Sequence, residues 1–78
     1  MKLPRGVSGD RLIRTLQQLG YSIVRQRGSH VRLAHPGPPA HGLTVPLHSP
    51  LKTGTLHGIL AEVALMRSIT IEALAQLL

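Results

Sequence analysis

The chain has 78 residues and no cysteine, so we expect a single domain over residues 1–78 without disulfides or thiolate-bound metals. No apolar run approaches the roughly 20 residues of a membrane span, and residues 1–6 lack the apolar stretch of a signal peptide, which favours a cytoplasmic protein without membrane contact. Nine lysines and arginines oppose three acidic residues, for a net charge of +6, and because a surface of one sign attracts polyanions we expect a nucleic acid or an acidic protein as partner.

The first predicted element is an amphipathic helix over residues 10–19. Its apolar side chains recur at helical spacing and form one stripe, made of Leu12, Ile13, Leu16 and Leu19. Ser8 can cap the unpaired N–H groups at the start of this helix, and Gly20 can end it in a left-handed conformation.

Two strands joined by a tight turn follow the helix. Residues 21–27 are rich in strand-forming types, Gly28 and Ser29 are a turn signal, and residues 30–35 alternate between polar and apolar types. The pattern therefore predicts a β-hairpin about Gly28 and Ser29.

The second strand of this hairpin has two different faces. Val31 and Leu33 are expected to point into the core, whereas His30 and Arg32 are expected to point to the opposite side. The side that carries His30 and Arg32 is predicted to stay open to solvent or to a ligand.

The remaining elements complete a small α+β fold. A proline-rich loop over residues 36–42 leads to a third strand over residues 43–47, which Pro46 confines to the sheet edge or ends. A second helix is predicted from about residue 53 to 66, and its buried face holds Leu56, Ile59, Leu60 and Val63. A short third helix is predicted after a cap at Thr70, with Leu74, Leu77 and Leu78 docked on the body.

The order helix, three strands, helix and short helix predicts a three-stranded antiparallel sheet with the helices on one face.

Composition then excludes several kinds of site. Three scattered acids cannot build a carboxylate cluster for Mg²⁺, so we expect no metal. A single aromatic residue, Tyr21, cannot form a base-stacking platform, and no glycine-rich nucleotide loop is present, so we expect no cofactor.

Histidine and arginine remain as the side chains that can carry chemistry. RNA supplies its own nucleophile, the 2′-hydroxyl, so a ribonuclease without metal needs a base and positive charge beside the phosphate. His30 can be the base, and Arg25, Arg27 and Arg32 flank the hairpin that presents it. The residues therefore favour an RNA-cleaving protein with His30 as the catalytic residue.

Three segments in this order resemble the HicA (YcfA-like) toxin family: R-G-S-H at residues 27–30, V-P-L-H at residues 45–48 and L-K-T-G-T-L at residues 51–56. The resemblance extends over about residues 8–78. It implies a fold similar to a double-stranded RNA-binding domain, cleavage of mRNA without a metal, and neutralisation by a HicB-type antitoxin, which we expect to be acidic. The catalytic histidine of the family corresponds to His30, and the matching histidine at the third strand is His48.

Seven further residues are predicted to contact RNA: Arg25, Arg27, Gly28, Ser29, Arg32, His48 and Lys52. Lys52 adjoins the start of the second helix, where unpaired N–H groups can bind phosphate. His48 has a second interpretation, as a strand-end histidine that hydrogen-bonds a neighbouring backbone group. His35, His41 and His57 are predicted to be solvated.

Two other functions stay open from the sequence. A non-catalytic module for double-stranded RNA could use the same fold, although such modules usually cluster several lysines at the second helix and this chain has one there. A histidine-rich metal-binding protein is the other alternative, although no two histidines are spaced as ligands on one helix.

Overall fold

The computed structural model describes residues 3–78. Its elements in chain order are α1 (Gly9–Gln18), β1 (Ser22–Arg27), β2 (His30–His35), β3 (His41–Pro46), α2 (Thr53–Arg67) and α3 (Ile71–Leu77). This is the predicted α+β order. Met1 and Lys2, which begin the segment predicted not to be a signal peptide, lie outside the described residues. No helix within residues 3–78 has both the length and the apolar character needed to cross a bilayer.

Both predicted caps of α1 are confirmed. The Ser8 hydroxyl accepts a hydrogen bond of 3.0 Å from the backbone N–H of Arg11, which satisfies one of the unpaired donors at the helix start. At the other end Gly20 has a φ of +98°, a conformation that glycine adopts without steric cost. The predicted stripe faces inward, because Leu12, Ile13 and Leu16 are buried.

The three strands form one antiparallel sheet in the order β1-β2-β3. Val31 and Leu33 of β2, and Leu43 and Val45 of β3, are buried under α1 and α2, which pack against the same side of β3. The predicted buried face of α2 is confirmed in full: Leu56, Ile59, Leu60 and Val63. The helices therefore cover one face of the sheet, and the face with His30 and Arg32 is open, as predicted.

Strand β1 contains a bulge at Val24. Ile23 pairs with the buried Leu33, and the next paired residue, Arg25, lies opposite the exposed Arg32. The extra residue changes the alternation of faces, so Ile23 turns to the helix side while Arg25 turns to the open side. Ile23 remains 48% exposed and Val24 59% exposed, since β1 is the edge strand on the opposite side of the sheet from β3, against which α1 and α2 pack.

The third strand differs from its prediction at both ends. It begins at His41, because the ladder with β2 continues through His41 and Gly42, and it ends at Pro46. Prolines break regular structure only up to residue 39, so the loop is shorter than the predicted 36–42. The prediction that Pro46 marks an edge strand or its end is confirmed on both counts.

The two C-terminal helices are joined at a left-handed serine. Ser68 has a φ of +56° and caps α2, and Thr70 then accepts a 3.0 Å hydrogen bond from the N–H of Ala73 to start α3, as predicted. Leu74 is fully buried, but the predicted docking of Leu77 is wrong, since that side chain is 48% exposed. A helix of seven residues turns only one side to the core, and Leu74 and Leu78 occupy it.

Candidate functional site

The open face of the sheet carries a shallow pocket next to the hairpin. Arg25 pairs with Arg32, and Arg27 pairs with His30, so strand pairing brings all four side chains to one face. Thr44 of β3 lies opposite Arg32 and completes the lining. We call this group the arginine pocket; its members are Arg25, Arg27, His30, Arg32 and Thr44.

His30 is the first residue of β2, and its side chain is exposed. Its neighbours across the sheet are Arg27 on one side and Pro46 on the other. In the part of the chain that the structure describes, nothing hydrogen-bonds the imidazole of His30. Both ring nitrogens are therefore available to a ligand, as a proton-transfer group requires.

The pocket has a positive charge that no carboxylate within residues 3–78 neutralises. Among residues 3–78 the sole ion pair within 4.0 Å joins Arg14 to Asp10 at 3.4 Å, on the exposed side of α1. Glu62 and Glu72 lie on α2 and α3, which cover the other face of the sheet or extend from it. The arginine pocket can therefore attract an anion such as phosphate without first displacing a carboxylate.

Thr44 is a pocket residue that the sequence predictions missed. It stands at an alternate position of the third strand, between the buried Leu43 and Val45, so its side chain must face the open side. The alternation of apolar and polar residues along the third strand could have placed Thr44 on the open face. The pairing of Thr44 with Arg32 depends on the register between β2 and β3, which no local pattern specifies.

The hairpin turn shapes the edge of the pocket. Gly28 has a φ of +55°, the left-handed conformation that this turn needs. The carbonyl of Ser29 accepts a 2.6 Å hydrogen bond from the N–H of Leu47, which ties the turn to the chain just beyond β3. Gly28 and Ser29 thus stand beside the pocket without lining it.

Two predicted RNA-binding residues, His48 and Lys52, do not line the pocket either. The carbonyl of His48 accepts a 2.9 Å hydrogen bond from the N–H of Gly9, and Leu51 donates one of 2.8 Å to Val7. A Cβ at Gly9 would collide with the carbonyl of Pro46, so the start of α1 lies directly against the end of β3. These contacts bring the starts of α1 and α2 to the hairpin end of the sheet, with both His48 and Lys52 exposed.

The predictions that His35 and His41 are solvated are wrong. Both are half-buried at the other end of the sheet, where they pair across β2 and β3. The hydroxyl of Tyr21 shares a 2.7 Å hydrogen bond with Nδ1 of His41, and its ring contacts the His35 ring edge to face at 5.0 Å. The buried ring of Tyr21 packs against both imidazoles and shields them from solvent. The proline-rich loop between the two histidines gave no sign of this burial. His57 is exposed, as predicted.

Arg67 at the end of α2 joins this group. Nη1 of Arg67 lies 2.7 Å from Nδ1 and 3.2 Å from Nε2 of His35, which places it over the ring and not in line with one lone pair, and Nη2 donates to the carbonyl of Pro39. Nδ1 of His35 accepts from the N–H of Gly37 at 2.9 Å, so Nε2 carries the hydrogen and donates to the carbonyl of Leu19 at 3.0 Å. We call Tyr21, His35, His41 and Arg67 the loop-end cluster. Burial raises the pKa of Tyr21, and the charge of Arg67 acts in the opposite direction.

His35 and His41 are paired in the loop-end cluster, whereas His30, His48 and His57 lie outside it. Within residues 3–78 no three histidine or acidic side chains come close enough to hold a metal ion.

A family model supplies the comparison with known proteins. The model described as the HicA toxin of bacterial toxin–antitoxin systems matches residues 9–65, which is more than half of the chain and includes the hairpin, β3 and most of α2. Neither a curated protein nor a solved structure matches the chain. All three segments that carried the resemblance lie inside the matched range. The chain therefore belongs to the HicA toxin family of bacterial toxin–antitoxin systems.

Proposed function

We propose that this toxin is an endoribonuclease that cleaves mRNA without a metal ion, with His30 as the general base. The observation that carries the proposal is the exposed, unbonded imidazole of His30 among Arg25, Arg27 and Arg32 on the open face of the sheet. RNA contains its own nucleophile, the ribose 2′-hydroxyl, so the protein needs to supply a general base and an anion-binding group.

The proposed reaction begins when a ring nitrogen of His30 accepts the proton of a ribose 2′-hydroxyl. The 2′-oxygen bonds to the adjacent phosphorus, and the bond from phosphorus to the 5′-oxygen breaks. The leaving 5′-oxygen takes a proton from water, which reaches the open pocket, and His30 then returns its own proton to solvent. The products are a 2′,3′-cyclic phosphate and a 5′-hydroxyl. The guanidinium groups offset the negative charge that builds on the phosphate oxygens.

The substrate strand would extend beyond the pocket. Arg25, Arg27 and Arg32 would bind the reacting phosphate and its neighbours. The turn at Gly28 and Ser29 would form the rim that the strand crosses. The exposed side chains of His48 and Lys52 would bind phosphates further along the hairpin end.

Membership of a toxin–antitoxin family implies an antitoxin as partner. We propose that this partner is an acidic protein of the HicB type and that it covers the arginine pocket. Its carboxylates would take the place of RNA phosphates on the same arginines, which would block access to His30. Both proteins would act in the cytoplasm, with residues 1–78 folding as one toxin domain.

The decisive experiment compares His30→Ala with His57→Ala, which removes an exposed histidine of α2 outside the pocket. We expect His30→Ala to lower the cleavage rate of a model mRNA by about 10²–10⁴-fold and to abolish growth inhibition, because a general base contributes about that much. His57→Ala should keep both activities. Equal cleavage by wild type and His30→Ala would exclude the mechanism, and unchanged toxicity with duplex RNA binding would favour the non-catalytic module.

Metal independence has its own test. Wild-type protein purified with EDTA, and assayed in EDTA, should cleave the same RNA at the rate seen without chelator, because His30 and the arginines supply the base and the charge. Loss of cleavage in EDTA and its return on addition of Mg²⁺ or Mn²⁺ would contradict this part of the proposal.

A further inference from the structure

Arg32 shares the open face of β2 with His30, but its guanidinium extends away from that histidine. Its Nη1 donates a 3.3 Å hydrogen bond to Oγ1 of Thr44, the residue directly opposite in the β2–β3 ladder. The guanidinium also covers the backbone of Gly42, where a Cβ would stand 2.7 Å from Nη2 and 3.3 Å from Cζ. Gly42 pairs with Ala34, so the charge lies on the side of Arg32 that is remote from His30.

The distance along the sheet separates this charge from the reacting group. Strands rise about 3.3 Å per residue, so the ladder position of Thr44 lies about 7 Å from that of His30, and the position of Gly42 about 13 Å from it. Arg27, by contrast, lies directly opposite His30 in the β1–β2 ladder. A phosphate bound by the guanidinium over Gly42 is therefore a different phosphate from the one beside His30 and Arg27.

The neighbours of the Arg32 guanidinium hold it in place and leave its charge free. Arg25 lies opposite Arg32 in the β1–β2 ladder, and like charges in directly opposed positions repel each other, which favours the β3 side. There the Thr44 hydroxyl, which is neutral, uses one of the five N–H donors of the arginine. Within residues 3–78 no carboxylate pairs with Arg32, and its side chain is exposed. The positive charge and the remaining donors are therefore available to an anion.

We propose that Arg32 forms a second phosphate subsite, which binds a phosphate that flanks the cleaved one and directs the RNA along the open face from His30 towards Gly42. This inference rests on the proposed ribonuclease function and deepens it. RNA carries a negative phosphate at every nucleotide, so a strand whose reacting phosphate lies beside His30 can present a further one to Arg32. The subsite binds substrate and takes no part in bond breaking, so its loss lowers RNA affinity.

The test neutralises one RNA phosphate at a time. The wild-type protein first maps the cleavage site in an RNA oligonucleotide, and a 2′-deoxyribose at that site then prevents cleavage. A methylphosphonate replaces each phosphate in turn, and the dissociation constant is measured for wild type and Arg32→Ala. We expect wild type to lose affinity on the order of tenfold at the flanking phosphate, as for one hydrogen bond between charged groups. Arg32→Ala should bind the unmodified RNA more weakly by the same factor and should be insensitive at that one position.

Three further variants locate the subsite. Gly42→Ala pushes the guanidinium aside and should reproduce the insensitivity of Arg32→Ala, and the extended strand backbone at Gly42 accepts alanine once the flexible end of Arg32 moves. Arg27→Ala should be insensitive at a different phosphate, nearer to the cleavage site, because Arg27 pairs with His30. Arg14→Ala, which removes an exposed arginine of α1, is the matched control and should keep the wild-type pattern at every position.

Three results would overturn the subsite. These are insensitivity of Arg32→Ala at the cleaved phosphate itself, insensitivity at no phosphate, and a wild-type pattern in Gly42→Ala. All three leave the role of His30 standing. Cleavage that survives His30→Ala would reject the mechanism and not the subsite, because the affinity pattern does not depend on catalysis. Absence of RNA cleavage by the wild-type protein would reject both.

Discussion

The arginine pocket and the loop-end cluster lie at opposite ends of β2 and use the same side chains in opposite ways. His30 begins the strand with an unbonded, exposed ring, whereas His35 ends it with both ring nitrogens hydrogen-bonded. At about 3.3 Å per residue these two histidines stand about 17 Å apart. Arg67 binds His35 and a backbone carbonyl, whereas Arg27 in the pocket has no acceptor among residues 3–78.

The difference lies in hydrogen bonding within the protein and not in residue type, and of the two ends of β2 it leaves the His30 end with an imidazole available to a ligand. A ring whose nitrogens are bonded within the protein stabilises the fold and has no position left for a substrate proton. A ring without such bonds contributes little to stability and is available for chemistry. Substitutions at the two ends should therefore change different measurements.

The largest effect on stability is expected for His35→Ala. It leaves the N–H of Gly37 and the carbonyl of Leu19 without their partner, so we expect the free energy of unfolding to fall by about 1–3 kcal/mol. His30→Ala should change it by less than about 0.5 kcal/mol, as is usual for exposed positions. Urea denaturation measures the free energy of unfolding of both variants, and the m-value should stay unchanged. Similar decreases for His35→Ala and His30→Ala would contradict the distinction between the two ends of β2.

A smaller loss is expected for Tyr21→Phe, which keeps the buried ring and removes the hydroxyl that is hydrogen-bonded to His41. We expect the free energy of unfolding at neutral pH to fall by about 0.5–1.5 kcal/mol, the usual net value of one hydrogen bond.

The same variant tests the environment of the phenol at alkaline pH. Burial raises the pKa of Tyr21 above 10.0, so the folded chain keeps a proton that the unfolded chain releases near that pH. The contribution of this group to stability is complete below about pH 10 and is lost as the pH rises through the raised pKa. Tyr21→Phe lacks the proton, so its stability should fall less than that of wild type over this range. Parallel curves would mean that Tyr21 is solvated in the folded chain.

The smallest effect concerns the salt dependence of RNA binding. Each phosphate contact contributes about 0.7 to the slope of log K against log salt for a single strand, so Arg27→Ala should reduce the slope by about that amount. Arg14→Ala, which removes an exposed arginine of α1, is the matched control and should leave the slope unchanged. An equal reduction for Arg14→Ala would mean that RNA lies along the helices, as the non-catalytic alternative requires.

Much of the fold could be predicted because its signals are local. The period of the apolar residues identifies α1 and α2, and short-range cap and turn chemistry marks Ser8, Gly20, Gly28 and Thr70. The open face of β2 follows from alternation within six residues. Each of these inferences needs only neighbours in the sequence.

The errors concern contacts between distant segments. His35 and His41 look solvated in the sequence because prolines and glycines flank them, and their burial depends on Tyr21 across the sheet and on Arg67 at the far end of α2. Thr44 was missed for the same reason, since its role depends on strand register. The pocket arginines were predicted from their charge and their place beside the hairpin, and the bulge that sets the face of Arg25 leaves no mark in the composition.

The bulge also determines where this toxin can change in length. Val24 is the one residue between Ile23 and Arg25, and neither of its neighbours needs it to keep its partner in β2. A chain that lacks Val24 would pair without interruption and still present Arg25 and Arg27 to the substrate. Removal of Gln26 would instead turn Arg25 towards the helices. Loss of one residue is therefore expected to keep the face of Arg25 when the residue is Val24 and to reverse it when the residue is Gln26.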